Sequence, residues 1–373
     1  MKQNILIINP WTGYIGPNTF FQQFVLQSID KSCTLTVIYP HEDEISRNLE
    51  KKGVKFLYTK ILKPIHYSSN LIKLFFYLKK EVTLFFYLVK IDTNFDVIIL
   101  NSELFSLSIF SLSKTARKFN IIHSLSFTNN PNFSKFLFTI HKNNNITNIA
   151  VSKVVMNKIK LICSISNTVV FYNGVNVDEN YKKYFLHDIN HKLQILSVLH
   201  PVPHKGGDHL VDLLNKLNLH NNNFICNIVG WDGPISDSIY KRNVEKKIVQ
   251  LGLQDKINLL PPTKNITNYF ESADILVHTS ESESFGYVIA EAMAFQLPIV
   301  AFNVGAIPEI VQNNISGYLV EPFNISEMSR LLIKLIENKK LQREFGIKGK
   351  EIVTQNFNKT KNMNNLITYC LNS

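Results

Sequence analysis

DILVHTSESESFGYVIAEAMAFQLPIV, residues 274–300, is the stretch on which the fold turns. An apolar strand candidate ends at His278, a polar turn covers Thr279 to Ser282, an amphipathic helix is expected to open near Ser284, and a second apolar strand follows at 298–302. Strand, turn, helix and strand in such quick succession form the repeating unit of a parallel sheet covered by helices. Glu283 is expected at the helix start and Glu291 roughly two turns later, on a similar face. A helix start presents free N–H groups and a positive dipole end, which suits a phosphate. Gly286 lets a ligand approach the backbone, Phe285 can wall a pocket, and a carboxylate farther along can accept two hydrogen bonds from a vicinal diol such as a ribose. One element therefore offers diphosphate and sugar recognition together.

The same alternation extends in both directions. Strand candidates in the first half are 4–9, 33–39, 95–100, 120–126, 146–151 and 168–172; in the second they are 193–199, 224–230, 256–260, 274–278, 298–302 and 317–320. Helical patterns such as 207–218, 236–252 and 325–338 lie between them. The most polar gap, 173–192, separates two complete β/α series. The expected architecture is α/β: two Rossmann-like domains, 1–175 and 190–355, facing each other across a cleft, with 356–373 as a C-terminal helix packing back on the first. A chain of 373 residues agrees with two domains at about 150 residues each.

Composition narrows the function. Hydrophobic residues at 45% and charged residues at 18% describe a packed globular chain. The four cysteines are widely spaced, without a C-x-x-C pair, which fits a reducing cytoplasm better than a disulfide framework or zinc ribbon. The apolar run at the N-terminus is too short for a signal peptide, and no stretch approaches the ~18 apolar residues of a membrane span. The fourteen glycines contain no G-x-G spacing, so a dinucleotide fingerprint is missing, as is a P-loop. No Asp-x-Asp pair and no metal-site spacing is present, so no metal is expected. The net charge of +11 points to an anionic partner. Nucleic acid is disfavoured for want of any recognition motif. Residues 71–90, LIKLFFYLKKEVTLFFYLVK, repeat an aromatic cluster punctuated by Lys73, Lys79, Lys80 and Lys90. Two readings stay open for this run: a helix at an anionic membrane surface, or core helices with a wet lysine face.

Glu283-Ser284-Phe285-Gly286, followed by Glu291-Ala292, Ala294 and Pro298, resembles the Glu-x7-Glu signature of retaining glycosyltransferases of family 4, which have the GT-B fold. Asn303 to Val311, Gly317 to Val320, Ser197 to Gly207 and Asn173 to Asn176 resemble further motifs of that family in the right order, over roughly residues 145–355. The resemblance implies that Lys205 neutralises the diphosphate of a nucleotide-sugar donor, aided by backbone N–H groups near Ser284, Phe285 and Gly286. It implies that Glu291 holds the ribose and Glu283 contacts the donor sugar, with Glu283 and Lys205 carrying the catalysis. Gly13 and Gly16 fall where the family's glycine-containing loop approaches the diphosphate and acceptor. Three departures stand out: His200 replaces an arginine, Gln296 replaces a glycine in what reads as a surface change at a helix end, and the family's first-domain histidine has no clean counterpart. His123 is the candidate for it, as a site residue or as a buried structural one.

What the resemblance implies is metal-independent, retaining transfer of a sugar to a hydroxyl of a glycan or lipid-linked acceptor, without a cofactor, in bacterial envelope polysaccharide or lipopolysaccharide synthesis. The expected location is the cytoplasm or the inner face of its membrane. A sugar-nucleotide epimerase of similar architecture and a catalytically impaired binding subunit are the alternatives.

Overall fold

The computed structural model describes residues 3–12, 16–29, 31, 33–62, 71–91, 94–102, 115–183, 192–233 and 236–373, with the side chains of 71–78 left aside. The chain divides into two compact units, Met1–Asn173 with Thr360–Ser373, and Gly174–Lys359.

The first unit is built on seven parallel strands: β1 (Asn4–Ile8), β2 (Thr34–Tyr39), β3 (Lys55–Tyr58), β4 (Val97–Leu100), β5 (Arg117–Ile122), β6 (Ile146–Ala150) and β7 (Thr168–Val170), in the order β3-β2-β1-β4-β5-β6-β7. The second has six: β8 (Leu193–Val198), β9 (Phe224–Val229), β10 (Ile257–Leu260), β11 (Ile275–His278), β12 (Ile299–Phe302) and β13 (Gly317–Val320), in the order β10-β9-β8-β11-β12-β13. Each sheet is thus a Rossmann-like, doubly wound sheet that reverses direction beside its first strand, between β1 and β4 or between β8 and β11. Central strands such as β1, β4 and β11 are buried along nearly their whole length because helices cover both faces.

Two strands differ from expectation. β3 is a four-residue edge strand with an exposed–buried–half-buried–exposed pattern, too short and too polar to stand out in sequence. β5 begins at Arg117, three residues before the expected 120, because its opening charges are accommodated. The Arg117 guanidinium bonds the Leu371 carbonyl and, at 3.1 Å, Gln3 Oε1. Leu371 belongs to the helix Lys359–Asn372, whose Tyr369 ring packs on Phe119 and Phe171.

The run 71–90 forms one helix, Leu71–Val89. Leu84 and Leu88 enter the core of the first unit, whereas Val82, Phe86 and Val89 are 55%, 61% and 53% exposed. These three recur at helical spacing and form an apolar ridge. Among the described residues no helix is long and apolar enough to cross a membrane.

Candidate active site

In the second unit the loops after β8 and β11 lie side by side because those strands are neighbours. The first loop makes a 3-10 turn, Pro203–Lys205, and passes through Gly206 at φ 67. A Cβ at Gly206 would sit 2.0 Å from the Thr279 carbonyl oxygen, so only glycine fits. Thr279 Oγ1 donates to the Gly206 carbonyl at 2.8 Å, and the Glu281 amide donates to the His204 carbonyl at 2.9 Å. On its other flank the β11 turn is backed by Gly305 at φ 53, whose Cβ would meet the Glu283 carbonyl at 2.0 Å, and the Ala306 amide donates to that carbonyl at 2.9 Å.

This stitching holds Lys205 against Glu283, with Nζ 2.6 Å from Oε1. The same oxygen accepts from His278 Nε2 at 3.1 Å. Burial alone would raise the Glu283 pKa; the Lys205 charge and the His278 hydrogen bond outweigh it and hold the carboxyl well below its usual range. His278, the last residue of β11 and nearly buried, was not singled out by the sequence, where it reads as the end of an apolar strand.

The helix expected to open near Ser284 begins at Tyr287, with Gly286 as its N-cap at φ 102. A left-handed residue cannot continue a helix backwards, so Glu283 stands in the turn and does not share a helical face with Glu291. Phe285 is buried, its ring packed on Tyr287 and Phe357. Glu291 instead lines a cavity of about 240 Å³ with Asn176, Asp178, Tyr181, Thr267 and Phe270. Burial pushes its carboxyl up to about 7, against the opposing pull of the Lys359 ammonium.

His200 sits between the β8 loop and the glycine turn after β9, its Nδ1 buried and 3.5 Å from where a Cβ of Gly233 would lie. Burial lowers its pKa, as does Lys205, against the pull of the Gly230 carbonyl, which favours a protonated ring nitrogen. Gln296 is more than a surface change at a helix end: it occupies a left-handed position at φ 56 after the helix Tyr287–Ala294, the place where glycine costs least. Its Oε1 accepts from the Lys183 amide at 2.8 Å.

In the first unit Gly16 opens the helix Gly16–Ile29, and Gly13 lies outside the described residues. Beside it, where β1 and β4 end, the buried Asn9, Asn18 and Asn101 are joined by hydrogen bonds. His123 Nε2 lies 2.6 Å from Asn101 Oδ1, and burial pushes the imidazole down to about 3, so it is neutral at pH 7. The candidate histidine is thus wired to the ends of β1 and β4, which composition could not reveal. A polar residue directly after each of two adjacent apolar strands was the available signal.

Two Rossmann-like domains, each a parallel sheet covered by helices, define an α/β fold of the GT-B kind. HepE from Anabaena, solved in complex with UDP and glucose, superposes with a TM-score of 0.77 over 99% of both chains at 20% identity. Residues 177–352 match the family described as glycosyl transferases group 1. An uncharacterized glycosyltransferase of Haemophilus influenzae is 34% identical over 157 residues, 42% of this chain and 43% of the relative. Another from Methanocaldococcus jannaschii is 31% identical over 217 residues, 58% of this chain and 57% of the relative. The chain thus spans about half the length of these relatives.

Proposed function

We propose that the chain transfers a sugar from a nucleotide-sugar donor to a hydroxyl of a glycan or lipid-linked acceptor, with retention at the anomeric carbon and without a metal ion. The observation that carries this reading is the Lys205–Glu283–His278 cluster at the β8/β11 switch point, inside the family-matched domain. A lysine ammonium has three donors and Glu283 takes one, which leaves two for diphosphate oxygens. The bond from the anomeric carbon to the diphosphate oxygen breaks with its electron pair. The acceptor oxygen bonds the same carbon on the same face, and its proton passes to the departing diphosphate. Electrostatic stabilisation of that leaving group is the largest contribution asked of the protein. Glu283, with Oε1 already engaged, offers Oε2 to the donor sugar, and Glu291 accepts the ribose hydroxyls.

A lipid-linked acceptor is supported by the ridge of Val82, Phe86 and Val89, which lies beside the exposed Lys79 and Lys90 and fits an anionic bilayer. Vesicle sedimentation reversed by salt is expected, and Phe86→Ser should weaken it without lowering the unfolding midpoint.

The defining experiment screens nucleotide sugars for thermal protection, where a ligand at 100 times its Kd adds about 2.7 kcal/mol. Product from a protecting donor should form only with an acceptor and persist in chelator. Conversion of the donor sugar without acceptor would favour an epimerase, and strict metal dependence would overturn the metal-free scheme.

A further inference from the structure

The asparagines of the first unit form a chain whose direction can be read. Tyr39 OH donates to Asp43 Oδ2 at 2.9 Å, because a carboxylate only accepts, and the Tyr39 hydroxyl oxygen in turn accepts from Asn18 Nδ2 at 3.3 Å. Asn9 Nδ2 donates to Asn18 Oδ1 at 3.0 Å and to the Trp11 carbonyl at 3.0 Å. Asn101 Nδ2 donates to Asn9 Oδ1 at 2.8 Å and to the Pro17 carbonyl at 3.0 Å. Carbonyls only accept, so the amide orientations of Asn9 and Asn101 are fixed independently of Asp43, and all anchors agree. Asn101 is held from its backbone as well, since Trp11 Nε1 donates to its carbonyl at 2.8 Å.

Asn101 Oδ1 is therefore an acceptor, and the atom facing it, His123 Nε2, must carry the proton. In a neutral ring the other nitrogen is then a bare lone pair. Among the described residues nothing bonds Nδ1, and the His123 ring is steadied edge-on by Phe20 at 5.1 Å. The ring stands where β5 ends, two strands from β1 along the sheet, at the edge where ligands of such sheets collect.

We infer that Asn101, held by Asn9 and the Pro17 carbonyl, is a positioning residue that locks His123 with its proton on Nε2, so that Nδ1 accepts a hydrogen bond from a substrate hydroxyl. The hydroxyl rests on the glycosyl-transfer reading; the direction of the chain does not. Alkyl or carbonyl groups cannot satisfy such a nitrogen, whereas sugar and acceptor hydroxyls can.

Ring-nitrogen NMR of the full chain tests the lock without any ligand, with His123→Gln identifying one signal among eleven histidines. Wild type should show a protonated Nε2 and a bare Nδ1 at pH 7, and Asn101→Ala should show the two tautomers averaged. A wild-type proton on Nδ1 overturns the inference whatever the activity. With a donor and acceptor in hand, Asn101→Ala should lower kcat about 10- to 100-fold, with the donor KM within about threefold, as expected for loss of a partner that orients a working group. The wild-type spectrum decides the lock by itself if the alanine variant folds poorly. The expected tautomer change with unaltered kcat would remove His123 from the substrate and overturn the inference. A wild-type chain bound by no nucleotide sugar would overturn the glycosyl-transfer reading, while the tautomer measurement would still decide the lock.

Discussion

Where β8 and β11 end, the gathered groups are ions, Lys205 and Glu283 braced by His278; where β1 and β4 end, they are neutral amides, Asn9 and Asn101, leading to His123. The topology is the same and the chemistry opposite. A half-buried ion pair costs desolvation and repays it in a field that can act on a charged leaving group. A fully bonded amide chain carries no net charge and attracts nothing at a distance, but it fixes which atom donates and which accepts. The ionic end is suited to stabilising charge, the amide end to holding a neutral group in register.

Removing the ammonium should break the contrast most sharply. Lys205→Ala is expected to lower kcat/KM for the donor by about 10²- to 10³-fold, as loss of a group that stabilises developing charge does. Near-wild-type initial rates would mean that Lys205 serves only Glu283. Next comes Glu291. If its ionised form accepts the ribose hydroxyls, affinity for the free nucleotide should rise as pH climbs through about 7, and Glu291→Gln should bind about 10-fold more weakly or worse, with a flat profile. Calorimetric titration across pH decides this.

The two glutamates should also affect folding with opposite signs. The Glu283 carboxyl lies below its unfolded value of 4.5, so its stabilisation is present above that pH and fades as pH falls below it. The Glu291 carboxyl lies above that value, so its contribution is full below pH 4.5 and is lost as pH rises through about 7. Urea unfolding of Glu283→Gln should therefore flatten the acid limb, and Glu291→Gln the limb near neutrality; the reverse pattern would exchange the assignments. The smallest effect is expected at the far end of the amide chain. Tyr39→Phe removes one hydroxyl and should cost about 0.5–1.5 kcal/mol of stability with little change in rate. A large loss of rate would show that the Asp43 anchor, and not the carbonyl anchors, sets the chain.

The same contrast governs what the sequence disclosed. Lys205, Glu283 and Glu291 stand in a spaced motif, and charge is conspicuous in an otherwise apolar strand–turn–helix. Asn9, Asn18 and Asn101 look like ordinary turn residues, since asparagine is common after strands and before helices whether or not it is buried. Twelve strands were visible as apolar runs, whereas β3 was hidden by its brevity and by its partly exposed edge position. The helix starts three residues later than the periodicity suggests, because periodicity gives a face and not a boundary, and the left-handed Gly286 that sets the boundary is a backbone property. His278 is silent in the sequence because a lone histidine ending an apolar strand carries no pattern of its own.

The turn after β11 has backbone on both flanks, with no space for even a methyl group at Gly206 or Gly305. Such a segment cannot swing outward alone: lifting it would break the Glu281–His204 and Ala306–Glu283 backbone hydrogen bonds together. The amides of Glu281 and Ala306 should then exchange with solvent only in large, cooperative openings, as slowly as the central strands do. The donor would meet a rigid anvil at this place, and whatever moves to admit or release it must be sought in other parts of the chain.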